Sequence, residues 1–332
     1  MSDNPDPYAS SGHQAEIKRD ADGNPLSHSG FSMRHASPVG PMHETDMAHH
    51  RQRTPEGTVR LDVTPADAGW DFLSFSVVEL DPGDTHTARL DDQETAIVPL
   101  GGRGTVTAGD QTFELSRSSM FTEMPHVVYA PPGTPISVQA AADSDFEFSI
   151  GSAPAVGKYP IRLFRPDEMR QEIRGGGTAY RQVHHILSAP MPAERLVLYE
   201  VYVPRGTWAG WAPHRHDGRD GSPYLEEVYY FKFDRPEGFV VQRNWAPEDG
   251  FDEMFAAYDG EAVLVTKGYH SSVACPSGNM MFLNYLAGEL LDDERITPPC
   301  FHAEHTWIQD DWSKGEWTLP VIPLNDMSQS DS

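Results

Sequence analysis

In the stretch WAPHRHDGRDGSPYLEEVYYF, His214 and His216 are separated by one residue. Side chains two apart on an extended strand share a face, so an H-x-H pair can present two imidazoles to one ion. The segment DGRDGSP that follows is turn-rich and lets the chain return, delivering Glu226 or Glu227 at the start of EVYYF. Glu227 directly abuts VYYF and is the preferred ligand, with Glu226 facing away as an ordinary polar residue. Further along, KGYHSS sets His270 just past a turn at Gly268, where a positive φ is easily reached. Three imidazoles and a carboxylate form an intermediate ligand set suited to Zn, Mn, Fe, Co or Ni, with positions left over for water or substrate. The spacing therefore predicts an open metal site on His214, His216, Glu227 and His270.

Such a cluster needs strands to hold it, and the sequence supplies two sets. From Val59 to Ala155, runs such as FLSFSVVEL, TAIVPL, TVTAGDQTFEL, VVYA, ISVQA and FEFSI alternate with the turn signals DPGDT, GGRG and PPGTP. Short strands punctuated in this way indicate a β-sandwich or barrel. From Leu196 the pattern resumes in LVLYEVYVP, EEVYYFKF, FVVQRNW, EAVLVTKG and MMFLNYLAG, and the order of strand, turn and corner loosely repeats that of the first half. Between the halves, RPDEMRQEIRGGG predicts a short helix with a Gly-rich turn, and YRQVHHIL a strand. The expected division is a disordered tail over 1–55, a first barrel over 56–160, a linker and barrel-capping segment over 161–195, a second barrel with the metal site over 196–312, and a C-terminal tail over 313–332. The tail holds His13, His28, His35, His43, His49 and His50, irregularly spaced among Gly and Pro, and reads as solvated rather than metal-binding. His302 and His305 read as hydrogen-bonded structure closing a barrel mouth.

Composition narrows the partners. The 332 residues carry a formal charge of −25, with 50 acidic against 25 basic side chains, which repels nucleic acid and anionic lipid. An anionic substrate would accordingly need a local basic patch. Cys275 and Cys300 are the only cysteines, too few for a disulfide framework and without a C-x-x-C spacing. MSDNPDPYASSGHQ has neither the basic start nor the apolar stretch of a signal peptide, and no run of about 18 apolar residues follows. A soluble cytoplasmic protein with no nucleic-acid or membrane partner is expected.

The succession HxH, loop, E, then G-x-H and Asn284 resembles the paired motifs of the cupin superfamily. It departs from them in a long insertion before the Glu and in one residue fewer between Gly268 and His270. More closely, PHRHD, LEEVYY, GFVVQR, VLVTKGYH, NYLAG and the late H-x-W-I resemble the 5-deoxy-glucuronate isomerase family, bicupin enzymes of bacterial myo-inositol catabolism. AGWDFLSFSV, SAPA and RPDEMRQEIRGGG fit the same family. Thr266, where a proline often precedes the Lys-Gly, the SSVACPSG segment and the N-terminal tail depart from it. The resemblance implies an all-β bicupin of two jelly-roll-like, cupin-type barrels with a disordered N-terminal tail. By the same analogy a homo-oligomer is expected. If Glu94 of QETAIVPL corresponds to Glu227 and PPGTP to KGYHS, then Pro135 stands where His270 stands. No H-x-H precedes Glu94, the lone His86 cannot build a site, and the first barrel is expected to be structural.

The reaction implied is an aldose–ketose isomerisation of 5-deoxy-D-glucuronate to 5-dehydro-2-deoxy-D-gluconate. A divalent ion, zinc or manganese being favoured, would acidify the C2–H and stabilise the enediolate. Candidates for the base are Glu227, a metal-bound hydroxide, Tyr229, Tyr230 and His184. The sugar acid's carboxylate calls for a cation, with Arg243, Lys267 and Arg181 as ordered candidates, while Gln242 and Tyr269 could bind hydroxyls. The competing readings are an Fe(II) or Mn(II) cupin dioxygenase, which shares the ligand set, and a non-catalytic bicupin that binds a sugar acid.

Overall fold

In the computed structural model, which describes residues 49–319 and residue 321, the chain is all-β and folds as a bicupin. One sheet of the second barrel runs in the order His50–Arg51, Ala262–Val265, Leu225–Phe233, Met280–Gly288, Val197–Val203, Arg181–Leu187 and Arg170–Arg174. Its companion sheet holds Phe251–Tyr258, Phe239–Ala246, Tyr269–Ala274, Trp208–Arg215 and Cys300–Phe301. Val201, Phe231, Val263 and Phe282 from the first of these sheets share a core with Ala209, Val240, Ala257 and Ala274 from the second. The first barrel is a nine-stranded sheet curled around Val78, Ile97, Val106, Phe146 and Phe148, with the long strand Gln93–Ala108 as its spine.

Alternation within a strand decides what each barrel shares with the other. In Leu225–Phe233, Glu227, Tyr229 and Phe231 point into the second barrel, while Val228 and Tyr230 join a separate core between the barrels. Gln93–Ala108 does the same, Ile97 pointing inward and Ala96 and Val98 toward the partner barrel. Between the barrels Arg117 and Glu200, both fully buried, form a two-pronged ion pair at 2.6 and 2.9 Å. The Tyr285 ring packs on Gly151, where a Cβ would come within 2.1 Å of it.

The register makes the duplication specific. Thr95 pairs with Ala130 as Glu227 pairs with Val265, and Thr95 pairs with Ser152 as Glu227 pairs with Leu286. Thr95 therefore occupies the position of Glu227, and Glu94 that of Glu226. This differs from the sequence alignment by one residue, which on a strand is the difference between two faces. Counting on from Ala130 and Val265, Gly133 and Gly268 coincide with φ of 74° and 75°, and Pro135 falls on His270.

Three segments differ from the sequence expectation. His50–Arg51, inside the expected tail, is an edge strand against Ala262–Val263. There His49 lies 2.6 Å from Glu253 and His50 2.8 Å from Glu261, so these two histidines are packed and hydrogen-bonded rather than solvated. His13, His28, His35 and His43 lie outside the described residues. The expected helix in RPDEMRQEIR is instead a 3₁₀ turn at Pro166–Glu168 and a strand at Arg170–Arg174. The open edge of Arg181–Leu187 offers that segment a ladder, and tertiary pairing overrides a weak local preference. The expected linker is thus divided, Arg162–Phe164 pairing with the first barrel and Arg170–Leu187 extending the second.

Candidate metal centre

Strand Trp208–Arg215 carries His214, and His216 follows it directly, with their rings 6.1 Å apart. Arg215 between them points away. Its guanidinium, 2% exposed, bonds Asp217 at 2.8 and 2.7 Å and Glu248 at 2.5 Å, and lies over the Tyr269 ring. Asp217 in turn accepts the Gly268 N–H at 2.7 Å, tying the histidine loop to the turn that delivers His270. Only a residue tolerant of positive φ fits that turn, because a Cβ at Gly268 would meet the Trp245 carbonyl oxygen at 2.3 Å. His214 pairs with His270 across the sheet, their ring centroids 4.4 Å apart.

The nitrogens of His214, His216 and His270 converge within 4.8 Å of one another. Glu227 Oε2 lies 2.9 Å from His216 Nε2 and 3.3 Å from His270 Nε2. His216 Nδ1 donates to the Leu225 carbonyl at 2.7 Å, and His214 Nδ1 faces the Gly210 carbonyl at 3.4 Å, which turns both Nε2 atoms to the cluster. The His270 ring is fully buried; among the described residues its Nδ1 has no hydrogen-bond partner, and its Nε2 has only the poorly aligned Glu227 carboxylate at 3.3 Å. Buried polar atoms rarely stay unpaired, so this donor set fits a divalent cation.

Electrostatics agree with that fit. Burial, reinforced by the neighbouring imidazoles, holds the His214 pKa well below the usual histidine range, and burial lowers that of His270. Burial alone would raise the Glu227 pKa, but His216 and His270 outweigh it and pull it down to about 2. Burial and the Glu227 charge push the Tyr229 hydroxyl far above its ordinary value, so that residue stays protonated. Burial alone would lower the His216 pKa, but the Glu227 carboxylate and the Leu225 carbonyl outweigh it and raise it. His214 and His270 as neutral imidazoles beside an ionised Glu227 have the protonation states that metal ligation requires, and a bound cation would replace the proton on His216.

A cavity of about 480 Å³ opens onto His214, His216 and Glu227, within the usual range of roughly 300–1,000 Å³ for small-molecule sites. Tyr229, Asn284, Trp211 and Arg181 line it. Arg181 donates to the backbone carbonyls of Ala179 and Trp211, both at 3.2 Å from Nη1, and makes no ion pair among the described residues. Burial, with Arg174 nearby, lowers its pKa to about 10.

The other candidates lie elsewhere. Arg243 points outward, grips Asp252 with two bonds of 2.8 Å and stacks on Trp245. Lys267 sits 3.5 Å from Asp249 over the Phe251 ring. Gln242 is fully buried and donates to Asn244 at 2.9 Å, and Tyr269 packs on Arg215 and His302. None of these four lines the cavity. His184 stands on the opposite face of its strand from Arg181 and Val183, against Tyr202 at the barrel interface. His302 and His305 stack on each other outside the cavity, beside Tyr269 and Trp211.

Sequence reasoning missed Arg174, Arg295, Trp211 and Trp312 of the lining. The one available signal was Arg174 immediately before three glycines: a Cβ on Gly176 would meet the Trp312 ring at 2.6 Å, so the loop is glycine-rich because that tryptophan covers it.

Comparisons with known proteins extend this geometry. Residues 47–308 match the model of the KduI/IolB family. The 5-deoxy-glucuronate isomerase of Geobacillus kaustophilus is 36% identical over 261 residues, covering 77% of this chain and 92% of that protein. An IolB-like protein from Salmonella typhimurium LT2 superposes with a TM-score of 0.74 at 34% identity, covering 78% of this chain and 98% of the other. Lactobacillus farciminis oxalate decarboxylase, at 13% identity, shares the fold with a TM-score of 0.51 over 73% of this chain and 87% of its own. With its barrels, its histidine cluster and most of its length matched in this way, the chain belongs to the KduI/IolB family.

Proposed function

We propose that the protein is a 5-deoxy-glucuronate isomerase, an aldose–ketose isomerase converting 5-deoxy-D-glucuronate to 5-dehydro-2-deoxy-D-gluconate in myo-inositol catabolism. The observation that carries this reading is that one cavity is lined by His214, His216 and Glu227 of the His–Glu cluster and by Arg181, whose guanidinium makes no ion pair among the described residues. His214, His216, Glu227 and His270 would hold the ion, with zinc or manganese as the favoured choices. When bound, a divalent cation supplies Lewis-acid polarisation of the substrate's C1 and C2 oxygens.

The residues divide the remaining work. Glu227 is ionised at neutral pH, as both a ligand and a proton acceptor must be, so the oxygen it does not use for ligation is the candidate to take the C2 proton and return it to C1. Tyr229, buried and protonated beside it, is a hydrogen-bond donor for the oxygen on which charge develops as the C2 proton leaves. Arg181 would take the substrate carboxylate in a two-pronged grip, which supplies locally what a chain of charge −25 lacks overall. Arg243, Lys267, Gln242, Tyr269 and His184 have no part in this proposal, since their contacts lie outside the cavity. We place the protein in the cytoplasm on its two free cysteines; among the described residues, no helix is long and apolar enough to cross a membrane. The proposal extends to a homo-oligomer, supported by the open edge strand Arg170–Arg174, where Ile173 is 67% exposed.

The test is turnover of 5-deoxy-D-glucuronate by metal-loaded protein under anaerobic conditions. Formation of the 2-keto product without O₂ is expected and excludes a dioxygenase. No turnover with metal fully loaded would sink the isomerase reading.

A further inference from the structure

Glu226, beside the proposed metal ligand Glu227 but on the other face of its strand, is 1% exposed and has no cationic partner among the described residues. Its carboxylate accepts three backbone N–H groups of the first barrel, from Asp71 at 2.7 Å, Phe72 at 2.9 Å and Leu73 at 2.7 Å, together with the Tyr224 hydroxyl at 3.2 Å. A buried carboxylate is tolerated when hydrogen bonds replace its lost hydration, and charge-assisted bonds of this kind are the strong ones. The duplication provides an independent reference. Glu94, at the matching position, accepts the N–H groups of Glu194, Arg195 and Leu196 at 2.8, 2.6 and 2.8 Å, with the Tyr129 hydroxyl at 2.7 Å. Each barrel thus clasps the start of a strand in the other.

The two clasps differ in what lies beside them. Next to Glu94 is Thr95, and next to Glu226 is Glu227. The segment Tyr224–Glu227 also orients His216, whose Nδ1 donates to the Leu225 carbonyl at 2.7 Å while the Leu225 N–H donates to the His216 carbonyl at 2.7 Å. This segment is the end of its strand. Leu225 and Glu226 pair with Gly288 and Ala287 on one flank; on the other the ladder to Ala262–Val265 begins only at Glu227, and before it the segment meets the His216 loop itself, through the bridge of Tyr224 to Asp217 and the Leu225–His216 bonds. The bonds from the first barrel to Glu226 therefore anchor, on the outer face, the segment that His216 leans on.

We infer that Glu226 is a positioning residue for the metal shell, through which the metal-free first barrel sets the placement of Glu227 and His216. The inference rests on the metal centre proposed above. It gives the first barrel a share in the chemistry without a ligand of its own, and it distinguishes Glu226 from Glu94, whose clasp holds strand Val197–Val203 and no ligand.

The experiment is titration of metal-free full-length protein with Co(II), reading both the dissociation constant and the visible ligand-field band. Wild type is compared with Glu226→Gln, Glu94→Gln and Tyr224→Phe, with folding checked by near-UV circular dichroism. Loss of a group that orients metal ligands typically weakens binding about 10- to 100-fold, and that is expected for Glu226→Gln together with a changed band. Glu94→Gln should stay within about twofold of wild type, since it loses the same kind of clasp away from the ligands. Tyr224→Phe, which removes one donor and leaves Glu226 in place, should weaken binding about 2- to 10-fold. Equal affinities for wild type and Glu226→Gln, or equal weakening in Glu226→Gln and Glu94→Gln, overturns the positioning role alone. If Glu226→Gln does not fold, Tyr224→Phe decides, and its unchanged affinity overturns the role. A wild-type chain that takes up no Co(II) overturns the metal centre and this inference together.

Discussion

The two barrels share a strand register, a glycine turn of the same φ and a buried glutamate clasp, and they part at the positions where chemistry is done. Thr95 stands for Glu227 and Pro135 for His270. The short strand Thr85–Ala88 ends before the stretch that carries His214 and His216 in the second barrel. His86 falls on the Trp208 position by its pairing with Val138, and its ring meets the edge of Phe148 instead of a ligand cluster. The first barrel is filled by Ile97, Val106, Phe146 and Phe148, whereas the second keeps a cavity of about 480 Å³. The parts that join the barrels occur in both copies, and among the described residues the candidate metal cluster occurs in the second alone.

The strongest way to break that contrast is His270→Ala. Removing a ligand from the one equipped barrel should abolish stoichiometric metal uptake and cut kcat/KM by about a thousandfold or more, since a metal ion supplies several kcal/mol of transition-state stabilisation at ~1.4 kcal/mol per decade. Metal analysis beside a steady-state assay reads both. The joint is tested next by Arg117→Met, which leaves Glu200 charged and buried without its partner. A loss of about 3–5 kcal/mol in urea unfolding is expected, and the shared core predicts one transition for both barrels. Two separate transitions would mean that the barrels fold independently.

Arg181→Ala should raise KM about 10- to 100-fold with a smaller change in kcat, the signature of lost carboxylate binding at roughly 1.5–3 kcal/mol. A normal KM would remove Arg181 from the substrate site. The smallest effect is expected from His86→Ala in the first barrel. Activity and metal content should stay within about twofold of wild type, as for a substitution that touches no ligand or substrate group. A marked loss of metal would contradict the division of labour.

The clustering of His214, His216, Glu227 and His270 was legible because it depends on local rules. An H-x-H pair shares a strand face, a carboxylate opens the returning strand, and a glycine turn places the last histidine, all of which period-two alternation and turn chemistry express directly. The cationic wall was less legible. Arg243 and Arg181 both lie on strands, but only the fold decides which parity faces the cavity; Gln242 and Asn244 are the inward pair of their strand, which sends Arg243 out to Asp252. Arg295 and Trp312 come from a C-terminal stretch without periodicity, so nothing local announced them. Glu226 read as an ordinary polar residue because its partners, Asp71 to Leu73, are far away in sequence. The edge strand His50–Arg51 was absorbed into the tail for the same reason, since two residues carry no pattern until Ala262 and Val263 pair with them.

The most direct test of the central claim is a crystal of manganese- or zinc-loaded protein measured at the metal's absorption edge. One anomalous peak per chain is expected, bound by His214, His216, Glu227 and His270, with none inside the first barrel. A peak in the first barrel, or a loaded active protein with no density among these four side chains, would contradict it.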